Sequence, residues 1–504
     1  MRVGPFGASP LRSDMAALFT PVIALLSLLV LSVTAWQFQS KKWLVAASLL
    51  WLTAFYEAIL VVFPVWYSAF TGFELDSAVN AGPTEMLLAM LGELLFVLLF
   101  CLTLRLAARR VKIAGAQDPG LQQSKITLHV LVAAQLVLHV YLLITPSLGF
   151  TAMTHHGDVY TPSSILDMLM QWTRGAIQVP GIIAAAVVVT GSRYKRVPRM
   201  AAAVALALLA LVGLSEGVRG RITWIVCVML LMGIVRKSWK PAVAAAIVLA
   251  IVAPYSAFLG GQYRAILYSG TEEKTRLQEL KRLWYSVSGQ DPETGSEGGF
   301  LLNLAERAQG PRNCVVLMRL HDAGQGASYK PLLSALYTPI PRLFWPGKRP
   351  AGSTDDTNYG SAIFLVRRLG YGAPIYNMGS ILASGHAYWE GGWIWLCGCA
   401  ILTGLAWCCI LSWCQRKLPN DLGTTLAITF CAALPIDGLF TMLNPLYALI
   451  AILWSAILPV LLMTWLLGIV IRMRRRVRKT RRTAIPEHRR VAALARPHAS
   501  SNCY

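Results

Sequence analysis

Uninterrupted apolar runs, each about the length needed to cross a bilayer, recur along this chain. They cover residues 15–36, 43–68, 84–104, 126–148, 164–190, 200–217, 222–235, 241–260, 392–414, 422–440 and 443–471. At roughly 20 residues per span, the pattern predicts an all-α fold. The expected architecture is a polytopic integral membrane helix bundle of about 11 transmembrane helices. One long stretch, 261–391, cannot span and reads as a single large loop containing short helices. Within it, 272–284 carries charges at helical spacing, such as Glu272 and Arg276. Residues 290–299 and 352–360 are polar, turn-rich breaks. The chain therefore divides into a transmembrane bundle at 1–260, the loop at 261–391, C-terminal transmembrane helices at 392–471 and a tail at 472–504. The two membrane parts would hold about eight and about three helices.

The first apolar run is preceded by Arg2 and Arg12, and Val33-Thr34-Ala35 resembles a small-residue cleavage site. The run is long for a signal peptide and further runs follow at once, so it reads as a retained span. Composition agrees with the membrane assignment: of 504 residues only 14% are charged, and the mean hydropathy is +0.54. That combination excludes an ordinary soluble enzyme.

The net charge of +22 is unevenly distributed. Residues 472–504 hold ten Arg and one Lys against Glu487 alone. Such a juxtamembrane cluster marks the cytoplasmic face and binds anionic head groups at about 1 kcal/mol per cation. It lacks the interleaved aromatics of a nucleic-acid surface, and no nucleic-acid partner is expected. The short loops with Arg105, Arg109, Arg110, Lys112 and Lys125, with Arg193, Lys195, Arg196 and Arg199, and with Arg236, Lys237 and Lys240 fall on the same side. Alternation then places 261–391 outside. The ten cysteines lack disulfide or zinc-site spacing and read mostly as buried thiols, with Cys314 in the loop having no obvious partner. No metal site and no cofactor are expected.

Three places carry candidate chemistry. The short outer turn Glu216-Gly217-Val218-Arg219-Gly220-Arg221 has cations against the topological bias, which a lipid pyrophosphate would justify. Pairing of Arg219 or Arg221 with Glu216, or snorkelling, would also account for them. The loop segment Pro341-Arg342-Leu343-Phe344-Trp345-Pro346-Gly347-Lys348-Arg349-Pro350 is too proline-rich for helix or central strand. It holds Arg342 and Lys348 rigidly beside Phe344 and Trp345. It suits a lipid-linked anion, or equally an interfacial anchor. The loop also supplies Arg264, Arg282, Arg312, Arg319, His321, Arg367 and Arg368, none singled out by its surroundings. At the return to the membrane, Gly385-His386-Ala387-Tyr388-Trp389-Glu390-Gly391-Gly392 puts His386 and Glu390 on one helical face. Either could accept a proton from a sugar hydroxyl, or both could belong to an interfacial belt. Glu57, Glu85, Glu93, His129, His139, Asp167, Arg174 and Asp437 lie within spans and should face the bundle interior, mostly in interhelical pairs. The chain has no Walker A loop, Rossmann fingerprint, zincin motif or nucleophile elbow.

The order of these parts resembles the Wzy-type O-antigen and exopolysaccharide repeat-unit polymerases. The likeness rests on Glu216-Gly217-Val218-Arg219-Gly220, on the Pro-Arg-x-x-Trp-Pro-x-Lys-x-Pro motif at 341–350, and on Gly385-His386-Ala387-Tyr388 with Gly391 and Gly392. The family often has Gly-Ser-Arg-Gly where this chain reads Gly217-Val218-Arg219-Gly220, and a Glu where it has His386. Glu390 is a possible substitute for that acid. The resemblance implies a metal-independent glycosyltransferase of the bacterial inner membrane, its loop periplasmic and its C-terminus cytoplasmic. Its substrates would be oligosaccharide repeat units on undecaprenyl pyrophosphate. Arg219, Arg221, Arg264, Arg342 and Lys348 would bind substrate, and His386 or Glu390 would activate the acceptor hydroxyl. A chain-length regulator and a flippase are the protein partners it implies. The competing readings are an O-antigen ligase, a lipid-monophosphosugar glycosyltransferase using Glu74 and Asp76 with a divalent metal, and a polysaccharide or lipid transporter.

Overall fold

The computed structural model describes residues 10–39, 44–71, 82–110, 310–326 and 382–417, with isolated helical positions elsewhere. The chain divides into two compact units, Met1–Ile457 and Leu458–Tyr504. In the second, Leu458 and Trp465 are exposed helical positions. All elements named below belong to the first.

These are α1 (Pro10–Gln37), α2 (Leu44–Glu57), α3 (Phe63–Thr71), α4 (Pro83–Arg110), α5 (Gly310–Asp322) and α6 (Ala383–Lys417). There is no strand among the described residues. Among the described residues, four stretches are long and apolar enough to cross a membrane: Met15–Gln37, Leu49–Thr71, Pro83–Arg110 and Ala383–Trp413. They coincide with the apolar runs at 15–36, 43–68, 84–104 and 392–414. Apart from isolated positions, the remaining runs lie outside the described residues, as do the loop segments holding Arg219, Arg221, Arg264, Arg342 and Lys348.

α1 shows how such helices pack. Its inner face is mostly small or hydroxylic (Ala16, Thr20, Ala24, Ser27, Thr34 and Ala35) and buried, with Leu31 the large exception. Its outer face is large and apolar, with Leu18, Phe19, Val22, Leu29 and Trp36 exposed. A soluble helix has the reverse arrangement. In lipid the outward face gains nothing by hiding, and small residues let backbones approach. The buried hydroxyls are satisfied locally: Thr20 donates to the Ala16 carbonyl at 2.8 Å and Thr34 to that of Val30 at 2.7 Å.

Between α2 and α3 the helix widens into a π turn, Ala58–Val62. Pro64 explains it: proline cannot donate to the carbonyl four residues back, and its ring crowds that group. The Trp66 indole N–H ties this region to α1 by donating to the Pro21 carbonyl at 3.2 Å.

α4 is central, packing on α1, α5 and α6 through Phe96, Phe100, Cys101 and Leu104. Its start is marked by Pro83 at the first helical position, and Glu85 reaches back to accept the Gly82 N–H at 2.9 Å. α5 belongs to the 261–391 stretch but packs against both α4 and α6. It buries Cys314, Val315, Leu317 and Met318 and exposes Arg319 and Asp322. α6 starts at Ala383, so residues 383–390 are helical ahead of the apolar run that begins at 392, and the non-helical Gly391-Gly392 pair separates the two segments. The glycine pair breaks this helix without ending it.

Candidate functional site

The break in α6 falls at Gly391 (φ −164°, ψ 27°) and Gly392 (φ 65°, ψ −157°). Gly392 is in the left-handed region, which a side chain would strain. A Cβ there would also stand 3.0 Å from Nε2 of His321. Breaking the helix here frees carbonyls that would otherwise accept from the next turn. Nδ1 of His321 lies 3.2 Å from one of them, the carbonyl of Trp389. A carbonyl only accepts, so this bond requires the proton on Nδ1. In the neutral ring Nε2 then carries the lone pair, on the side of Gly392.

α5 delivers His321 by ending where it does. Gly324 N–H bonds the His321 carbonyl at 2.9 Å and Gln325 N–H bonds that of Leu320 at 2.8 Å. With Gly324 at φ 74°, this is a Schellman ending. The turn brings the Gln325 carbonyl to accept the Trp389 indole N–H at 3.0 Å. It also sets Asp322 beside Tyr388, whose hydroxyl donates to Oδ1 at 3.0 Å. Tyr388 is flanked edge-on by His321 and Trp393, with centroids 5.1 and 5.2 Å away. Glu390 accepts the Trp395 indole N–H on Oε2 at 2.7 Å. The assembly joins an imidazole, two carboxyls and a phenol to aromatic rings where a membrane-length helix is interrupted.

No protein-family model matches the chain, and no curated protein or solved structure resembles it significantly. The chemistry of this site therefore has to be argued from its residues.

His386 and Glu390 do share a face of α6, as their spacing implies, and both are buried. The His386 ring lies against Trp389, 6.2 Å between centroids. The break also recruits His321 and Asp322. In the sequence His321 is one of many polar loop residues, with no local feature to favour it. The only available signal was Asp322-Ala323-Gly324, a helix stop immediately after a histidine.

Two further contacts fix α5. Arg319 grips Glu85 with both forks, Nε to Oε1 at 2.7 Å and Nη2 to Oε2 at 2.5 Å. With side chains 41% and 40% exposed, this pair contributes at most about 1 kcal/mol and serves chiefly to set register. Deeper in, the Cys314 thiol lies 3.9 Å from the Ser384 hydroxyl. Burial pushes this thiol up to about 12, and the neighbouring Glu93 carboxyl adds to the shift. At pH 8 only about one molecule in ten thousand would carry the reactive thiolate. Maleimide is accordingly expected to modify Cys314 more than a thousandfold more slowly in the folded protein than after denaturation. Reactivity should emerge only as pH climbs toward the shifted value. Rapid labelling at neutral pH, read by mass spectrometry, would show that α5 is not held against α6.

Proposed function

We propose that this protein is a membrane glycosyltransferase that joins lipid-pyrophosphate-linked oligosaccharide repeat units into a polymer. On this reading it works at the periplasmic face of the bacterial inner membrane. The observation that supports it is the meeting of α5 with the broken α6, where Nε2 of His321 faces Gly392 and its ring lies edge-on to Tyr388, whose hydroxyl bonds Asp322.

Sugar transfer asks for these parts. The acceptor hydroxyl must lose a proton as its oxygen attacks the anomeric carbon of the growing chain. That carbon–oxygen bond forms while the bond to the carrier pyrophosphate breaks. Nε2 of His321 takes the proton, and Glu390 or His386, both buried in the segment before the break, is the alternative acceptor. Trp393 and Tyr388 offer faces and edges on which a sugar ring can lie. The departing pyrophosphate needs positive charge, which the chain supplies in Arg219, Arg221, Arg264, Arg342 and Lys348. Cations of this kind stabilise the leaving group without a metal.

The test is the surface and secreted glycan of a deletion strain, sized on a gel. Single-repeat glycan in place of polymer is the expected outcome. Full-length polymer left on its lipid carrier would instead identify a ligase. An unchanged glycan would remove the protein from glycan assembly.

A further inference from the structure

The glycosyl-transfer reading makes no use of two acidic residues deep in the bundle. Glu57, at the end of α2, is fully buried, and Glu93, midway along α4, is 3% exposed. They are close enough to act on each other electrostatically. Each is held by a serine from another helix: Ser27 of α1 donates to Oε1 of Glu57, and Ser384 of α6 donates to Oε2 of Glu93. The pair thus joins α1, α2, α4 and α6.

A second feature of α2 points the same way. Thr53 lies one helical turn before Glu57 and on the same face. Its Oγ1 and Oε2 of Glu57 are both buried, and neither has a hydrogen bond among the described residues. Two unsatisfied oxygens in an apolar interior cost several kcal/mol unless something occupies the space they face. Among the described residues, the titratable groups acting on these carboxyls besides each other are thiols, and the one basic side chain that is buried is His386, two positions from Ser384 in α6. α4 contributes the Cys101 thiol near Glu57, and α5 contributes the Cys314 thiol near Glu93. α1 and α6 face the carboxyls with the two serine hydroxyls. No Lys or Arg is among the buried described residues.

We propose that Glu57 and Glu93, with Thr53, Ser27 and Ser384, form a site for one exchangeable hard monovalent cation, H⁺ or Na⁺, inside the bundle. Carboxyl and hydroxyl oxygens are the donors such ions prefer, and they exclude a soft metal. Ionisable groups inside membrane bundles commonly mark ion or proton sites. The occupant supplies positive charge beside carboxyls that no buried Lys or Arg accompanies among the described residues. It ties four helices together, so its exchange can change how they pack. This inference is independent of the glycosyl-transfer reading.

Infrared difference spectroscopy on the full chain in lipid nanodiscs tests it. Acid and alkaline samples are compared, each with sodium chloride or choline chloride. The expected result is a carbonyl band of a protonated carboxylic acid, present in acid and lost in both Glu57→Gln and Glu93→Gln. If the occupant is a proton alone, the band disappears with alkali whatever the salt. If Na⁺ competes, the band is also lost at constant pH when sodium replaces choline. A band that survives both substitutions would overturn the proposal, as would a spectrum with no carboxyl signal responding to pH or Na⁺. Glu57→Asp, which keeps the acid while shortening it, covers the case in which Glu57→Gln does not fold. The band should then shift rather than vanish.

Discussion

Replacing His321 with asparagine is expected to lower polymer formation by about a hundredfold or more, the usual range for loss of a general base. The amide of asparagine can still donate to the Trp389 carbonyl that His321 now engages at 3.2 Å. It therefore preserves the contact between the end of α5 and the break in α6 while removing the basic nitrogen. The protein should express and elute normally, and lipid-linked single repeats should accumulate. The comparison with His386 is informative because that ring is buried, against Trp389 of the same helix. His386→Asn should act chiefly through stability, visible as a lower unfolding temperature. If His321→Asn polymerised at the wild-type rate and a normally folded His386→Asn did not, the proton acceptor would be His386.

Gly385→Ala is expected to destabilise the protein by about 1–3 kcal/mol, the range for a methyl group forced into a packed interface. Its Cβ would stand 2.5 Å from Sγ of Cys314 and 3.0 Å from the Cys314 Cα. The sulfur could turn aside, but the Cα belongs to a helix backbone, so α5 and α6 would have to separate. The same movement would carry His321 away from Gly392, so activity should fall together with unfolding temperature. Adding Cys314→Ala removes the closer of the two clashes and should recover part of the loss. A double-mutant cycle on unfolding temperature checks this. Full additivity, with no recovery, would show that the two helices do not cross at this point.

Much of the helical framework was legible because it rests on run length. The stretches Met15–Gln37, Leu49–Thr71, Pro83–Arg110 and Ala383–Trp413 are long and predominantly apolar, and a helix satisfies the backbone of such a stretch internally. The His386 and Glu390 face followed from a four-residue spacing on one helix. The turn after Glu57 was legible only in hindsight, through Pro64. α5 was harder. Arg312, Arg319, His321 and Asp322 keep the hydropathy of 310–322 low, so it reads as part of the solvated loop. Yet its opposite face buries Cys314, Val315 and Leu317 against two apolar helices.

Sequence by itself thus determined what the protein is made of: membrane-length apolar helices, a glycine-rich return to the membrane at 385–392, and acidic residues that lipid would not tolerate. Tertiary structure decided which groups meet. Arg319 finds Glu85 across 234 positions and Ser384 finds Glu93 across 291, while Tyr388 reaches Asp322 across 66. The physical reason is that helix formation in an apolar medium depends on local composition, because each span satisfies its own backbone. Pairing between helices depends on where small residues permit close approach and where polar groups need partners. Those requirements are set by the neighbouring helix, and no local pattern in the chain encodes them.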